Sequence, residues 1–360
     1  MKNNKYFSKD LELKGYKIYR RRKIIAMIIL AIMTFFLSII AINSGSANIG
    51  IKEILFSLIK VGDPSNIAVV WNMRLPRIIG AVIAGAGLSV AGCVMQNNLK
   101  NPMASPSTLG ISNAAVFGAN IAIIVLGAGN INSSTTDAVL INNPYSVTIS
   151  AFITSMIAMF VILSLSKLRN FSSESIILAG VALGSLFSAG TILIQYFAED
   201  VEVAAAVFWS FGDLGRIMWK EVCIMIGIVA LSIMYFTYKR WDYNAIENGR
   251  ETAKSLGVDV DRTIFTGMIL SSIITAVTVS FLGIIGFVGL ISPHIVRRII
   301  DSDYRYLIPM SAIMGSFILL LADTVARTII SPIILPVGAI TSFLGAPLFL
   351  YLLLKRRHIT

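Results

Sequence analysis

The stretch RLPRIIGAVIAGAGLSVAGCVMQ, residues 74–96, decides the fold. It is apolar over about the 20 residues a helix needs to cross the roughly 30 Å hydrocarbon core of a bilayer. Yet it opens on Arg74 and Arg77 around Pro76 and fills its interior with glycine, alanine and serine. Every fourth residue gives two adjacent stripes: Gly80, Ala84, Leu88 and Gly92, then Ala81, Gly85, Ser89 and Cys93. Such small-xxx-small spacing lets a second helix approach closely, where lipid-facing leucine would not, so the spacing predicts a helix inside a bundle. Pro76 suits the first helical turn, whose N–H groups need no partner, so the helix is expected to begin near Leu75. Both arginines then flank the positive end of its dipole, an electrostatically poor place for a cation.

The rest of the chain has the same character. Of its 360 residues 56% are hydrophobic and 14% charged, with a net charge of +11, and the mean hydropathy is +0.80. A soluble domain of this length could not hide so much apolar surface. Apolar runs long enough to span recur near residues 24–42, 78–97, 108–127, 147–166, 175–197, 221–238, 263–283, 284–300, 307–325 and 337–354. They lack the ten-residue alternation of a barrel, and backbone polar groups in lipid must pair within the segment. The expectation is an all-α, polytopic membrane protein of about ten transmembrane helices: a basic segment 1–23, one permease domain 24–354 with a cytoplasmic segment 239–262, and a tail 355–360. The first run follows KIYRRRK and reads as an uncleaved helix rather than a signal peptide.

Charge sets the orientation. With the N-terminus inside, 23 of the 30 lysines and arginines fall on the inner side, including Lys100, Lys167, Arg169, Arg297, Arg298 and Arg305. That bias places both termini in the cytoplasm of a multi-pass cell-membrane protein. The basic balance is therefore topological, and no nucleic-acid partner is expected. Cys93 and Cys223 both fall in apolar runs, fit no ligand spacing and read as small buried thiols; His294 reads as structural, so neither metal nor cofactor is expected.

Phosphate-binding glycine loops, HExxH motifs and nucleophile elbows are absent from the sequence, which argues against an enzyme. Ionisable residues within the runs are scarce, unlike most ion-driven carriers. Asp323 is the deepest, and Arg327 follows it at i+4, where the two can pair. Transport remains plausible on these grounds, but with no visible energy source.

Six blocks answer that. RLPRIIGAVIAGAGLSVAGCVMQNNLKNPMASPSTLGIS (74–112), LAGVALGS (178–185), ETAKSLGVDVDR (251–262), GIIGFVGLISPHIVRRIIDSDYRYLIP (283–309), LLLADTVAR (319–327) and LPVGAITSFLGAPLFLYLLLK (335–355) occur in this order. Together they closely resemble the permease subunits of ATP-binding cassette importers for iron-siderophores, haem and vitamin B12. The resemblance implies a homodimer of ten-helix subunits, two cytoplasmic ATPase subunits that hydrolyse the ATP, and an extracytoplasmic substrate-binding protein.

It also implies three sites. On the residues alone, Arg74 and Arg77 either snorkel to headgroups or meet an acidic partner. The resemblance favours docking of the binding protein by Arg74, Arg77 and Arg327. Residues 247–262 read as a short helix from Glu251 to Leu256 that breaks at Gly257. The resemblance makes it the coupling helix, with Glu251, Ala253, Ser255, Leu256 and Gly257 touching the ATPase. Ser172 can cap the fifth run and Glu174 suits its N-terminal end; the resemblance places a cytoplasmic gate at Ser172, Ser173 and Glu174. Gly180, Gly184 and Gly190 are expected to allow close helix approach. A weak inverted likeness links Arg77–Met95 with Arg262–Phe281, a pattern common in transporters. The alternative reading is a self-contained secondary carrier or channel that needs no ATPase.

Overall fold

The computed structural model describes residues 3–45, 49–128, 143–167, 173–330 and 332–354. Arg169, Ser172 and the tail 355–360 lie outside the described residues. The chain order is α1 (Asn3–Asn43), α2 (Ile51–Leu58), α3 (Pro64–Val69), α4 (Leu75–Asn98), α5 (Ile111–Asn120), α6 (Pro144–Lys167), α7 (Ser173–Tyr196) and α8 (Asp200–Ser210). It continues through α9 (Trp219–Tyr238), α10 (Arg240–Glu247), α11 (Arg250–Ser255), α12 (Val260–Leu282), α13 (Val288–Ile300), α14 (Tyr304–Thr328) and α15 (Val337–Leu354). Each apolar run of the sequence overlaps one of these helices, but the run 284–300 is helical only from Val288, and the 13 residues of α13 are too few to cross a bilayer alone. Among the described residues seven helices, the one through α4 among them, are by themselves long and apolar enough to cross a membrane, and the helices over Ile111–Val125 and Val337–Tyr351 are shorter apolar ones. The end of the bundle carrying the basic residues 17–23 is called inner below, and the opposite end outer.

The helix built on the opening stretch is the axis of the bundle. In its most apolar window 83% of residues are buried, against 17% for α1 and 22% for α7. Side chains of α4 enter three core clusters: Ile78, Ala84 and Leu88 the outer one, Val90, Cys93 and Val94 an inner one, and Met95 a third beside α5, α6 and α12. Its glycines set the distances: a Cβ on Gly85 would overlap the Gly315 carbonyl of α14, and one on Gly92 the Gly289 carbonyl of α13. A Cβ on Gly87 would come within 2.8 Å of Ile274 and 2.9 Å of Val229, on α12 and α9. Close backbone approach of this kind is the main source of helix affinity in lipid, where burial from water gives no drive.

The start of that helix differs from the expectation. Asp63 accepts from the Ser65 N–H at 3.0 Å and Pro64 takes the first turn, so α3 begins there. It then runs through a single π turn over Val70–Arg74 into α4 without a break, and the Leu75 N–H donates to the carbonyl of Val70, five residues back. Pro76 lacks an N–H and its ring crowds the preceding turn; the widened turn accommodates it in the middle of a continuous helix. Arg74 and Arg77 therefore do not face a free helix terminus.

The thiols divide: Cys93 is buried, whereas Cys223 is exposed on α9, a peripheral helix with only 28% of its window buried. The short helices α2, α3, α8 and α10 were not legible as spans because each is well below the length that crosses lipid. At the outer end the indole N–H of Trp219 donates to the Trp71 carbonyl at 2.8 Å and that of Trp71 to the Ser57 carbonyl at 2.9 Å, tying α2 and the π turn to α9.

Candidate functional sites and family

The outer arginines do not project. Arg74, Arg77 and Arg327 are 6%, 8% and 7% exposed. Arg77 Nε donates to Asp323 Oδ1 at 2.8 Å, and Arg327 Nε stands 3.0 Å from Asp323 Oδ2. The i, i+4 pair expected on α14 thus acquires a second cation from α4. Arg327 also donates to the Ser44 and Ala41 carbonyls at 2.6 and 3.2 Å, and Arg74 to the Ile42 carbonyl at 2.7 Å, so both hold the unpaired carbonyl end of α1.

Asp213, half-exposed, lies 3.8 Å from Arg77. Its position follows from backbone crossings nearby: its N–H donates to Leu282 O at 2.8 Å, and the Val337 N–H to Gly212 O at 3.0 Å. Gly212 and Gly283, at φ 61° and 76°, make these crossings possible. Sequence reasoning missed Asp213, an acid in a short outer loop. Together the group holds three positive and two negative side chains, and its three arginines line an outer cavity of about 170 Å³.

At the inner end, α11 spans Arg250–Ser255 and ends in a Schellman turn: Gly257 N–H donates to Lys254 O at 2.9 Å and Val258 N–H to Ala253 O at 3.0 Å. Gly257 is at φ 81°, a conformation that costs a side-chain-bearing residue about 1–2 kcal/mol. Ala253 is fully buried in the core, so it anchors the helix instead of offering a contact; Glu251, Ser255, Leu256 and Gly257 are exposed. Leu256 is 68% exposed.

The segment is fastened to the bundle through α10. The Asn97 amide at the end of α4 donates to Tyr243 O at 3.1 Å and to Glu247 at 3.0 Å. Asn244 donates to Asp303 at 3.2 Å and accepts from the Tyr304 N–H at 2.8 Å. Burial opposes ionisation of Asp303, but hydrogen bonds from the Arg305 side chain and backbone and from Asn244 outweigh it and hold the carboxyl below the usual aspartate range.

Ser173 starts α7 half-buried and Glu174 is exposed beside it. Above them α7 lies against α5: a Cβ on Gly180 would reach 2.9 Å from Leu109 Cα, and one on Gly190 2.6 Å from the Phe117 ring. Between the two helices an open groove of about 480 Å³ is lined by Thr108, Asn113, Ser185 and Ser188. The Asn113 amide donates to the Gly184 carbonyl and to Ser188 Oγ, both at 3.2 Å. His294 packs edge-on against Phe349, with ring centroids 6.2 Å apart.

Residues 30–355 match the model of the FecCD transport family. This chain belongs to that family. The FecCD chain is 56% identical over 340 residues to a protein of Methanocaldococcus jannaschii assigned as an ABC transporter permease, a match covering 94% of this chain and 97% of the relative. It is 33% identical over 316 residues to the hemin transport system permease protein of Yersinia pestis, covering 87% and 92%. Its fold superposes with a TM-score of 0.79, at 26% identity, on a solved inward-facing ABC transporter assigned to the metal-chelate type, covering 92% of this chain and 99% of that one. The FecCD chain is thus a multi-pass, all-helical transport permease of the cell membrane and not an enzyme.

Proposed function

We propose that the chain is the transmembrane permease subunit of an ATP-binding cassette importer that moves an iron-siderophore or related metal chelate, such as haem or cobalamin, inward. It works as a homodimer, with ATP hydrolysed by cytoplasmic ATPase subunits and substrate delivered by an extracytoplasmic binding protein. Residues 24–354 form one permease domain, with 239–262 as its cytoplasmic coupling segment.

The observation that carries this reading is Leu256. Leu256 is 68% exposed on an otherwise charged inner turn, next to a glycine-closed helix end, and gives the segment one apolar side chain that a groove of the ATPase can take up. Its helix is anchored by Ala253 and tied through Glu247 and Asn97 to the end of α4. Movement of a partner against Leu256 is therefore passed to the most buried helix of the permease. Glu251, Ser255 and Gly257 complete the contact face.

The outer arginines take a modified role. An acidic side chain of the binding protein enters the cavity lined by Arg74, Arg77 and Arg327, whose cluster has one positive charge more than negative. Such contact sets orientation and on-rate and weakens with salt. Substrate follows the uncharged groove between α5 and α7; Ser173 and Glu174 at the inner end of α7, with Ser172 before them in sequence, are its cytoplasmic gate.

The test is Leu256→Asp in the reconstituted complex. Transport-linked ATP hydrolysis is expected to fall at least tenfold while the permease keeps its detergent stability; unchanged coupling would remove the assignment.

A further inference from the structure

A cavity of about 360 Å³ at the inner end is not used by the transport reading. Three elements meet at it: Gln96 of α4 with Lys100 just beyond that helix, Glu247 at the end of α10, and His294, Arg297 and Arg298 on α13. Three of these side chains are cationic and one is anionic. Arginines in the last turn of α13 complement the negative end of its dipole, and that accounts for their place on the helix. It does not account for Lys100, which arrives from another element with its backbone at φ 48°, a left-handed conformation that residues other than glycine adopt rarely.

The ion pairing of Lys100 is loose. Lys100 Nζ stands 3.8 Å from Glu247 Oε2, an oxygen that already accepts the Asn97 amide at 3.0 Å. Arg297 donates to the Gln96 amide oxygen and, at 3.3 Å, to the Tyr304 hydroxyl, both neutral acceptors.

We infer that this cavity is a binding site for a phosphate-type oxyanion, held by Lys100, Arg297 and Arg298 with His294 at its edge. The guanidinium fork matches a tetrahedral oxyanion in two-point contact, and a lysine adds a mobile point charge. The cavity lies at the inner end of the bundle, the end that the charge bias turns toward the anionic cytoplasmic leaflet, and it is open to free phosphate compounds as well. An anion drawing Lys100 away from Glu247 changes the restraint on the residue that ends α10 and leads into α11. That consequence, unlike the site itself, rests on the coupling role proposed above.

The test uses the full chain in nanodiscs of phosphatidylcholine alone, titrated with inorganic phosphate and pyrophosphate and followed by phosphorus NMR. Saturable binding is expected, weakened at least tenfold in Lys100→Gln/Arg298→Gln and unchanged in the outer-face control Lys52→Gln/Lys220→Gln. Lys100→Gln alone, at a side chain 36% exposed, is the fallback if the double variant does not assemble, with at least a threefold loss expected. Native mass spectrometry after phosphatidylglycerol nanodiscs identifies the source: lipid retained by the unmodified chain and lost in the variant means a headgroup, and phosphate binding without retained lipid means a free anion. Absence of saturable binding by either ligand, or equal binding by the unmodified and Lys100 variants, would overturn the inference. Coupling left unchanged in Leu256→Asp, with anion binding intact, would instead count against the coupling role alone.

Discussion

Asp323 has no exposed surface and lies 2.8 Å from Arg77 and 3.0 Å from Arg327. Removing one partner from a buried ionic group leaves uncompensated charge and costs about 3–5 kcal/mol. Asp323→Ala is therefore expected to destabilise the permease on that scale in reversible mixed-micelle unfolding. Asp213→Ala, whose carboxylate is 41% exposed at 3.8 Å from Arg77, is expected to cost about 1 kcal/mol or less. Equal losses for the two would contradict the assignment of Asp323 as the centre of the cluster. The pairing with Arg327 was legible as an i, i+4 spacing. The pairing with Arg77 was not, because 246 positions separate the partners and no local pattern encodes a contact made by two different helices. For the same reason the arginines read as exposed docking groups, whereas they hold the end of α1 and line a cavity.

At the scale of the element, glycine spacing carried most of the information. The adjacent stripes through Gly85 and through Gly92 predicted close approach, and the structure supplies the partners, Gly315 and Gly289. Gly92→Ala is expected to push α4 and α13 apart and lower the melting temperature of the detergent-solubilised protein. Gly227→Ala, where a Cβ meets nothing within 4 Å, is expected to be neutral or stabilising by up to about 1 kcal/mol through helix propensity. A milder effect at Gly92 than at Gly227 would refute the central placement of α4. Gly257 was equally legible, since a glycine after a run of helix formers implies a left-handed end. The π turn at Val70–Arg74 was not: proline is compatible with a helix start and with an interior turn that widens around it, and only the Asp63–Pro64 cap upstream separates the two. Ala253 was misplaced as a contact because a helix this short shows no face in sequence, and its burial comes from the core cluster beneath it.

Over the whole molecule, the two helices of the faint inverted likeness, α4 and α12, run in opposite directions, and 83% and 67% of their most apolar windows are buried. Around them, α1 and α7 leave large apolar side chains such as Phe36, Leu178, Leu186 and Ile192 exposed, a surface for lipid or, on α7, for the second copy of the proposed homodimer. With Cys223 first changed to serine, cysteines at Ser173 of two copies are expected to crosslink and to stop uptake; free transport in the crosslinked state would exclude a gate at the inner end of α7. The central claim is that this chain moves substrate only when an ATPase acts on it through residues 247–262. The direct measurement is uptake of a labelled iron chelate or haem into proteoliposomes holding the permease with or without its ATPase and internal ATP. Uptake is expected only when both are present and is expected to be lost in Leu256→Asp; equal uptake by the permease alone would contradict the account.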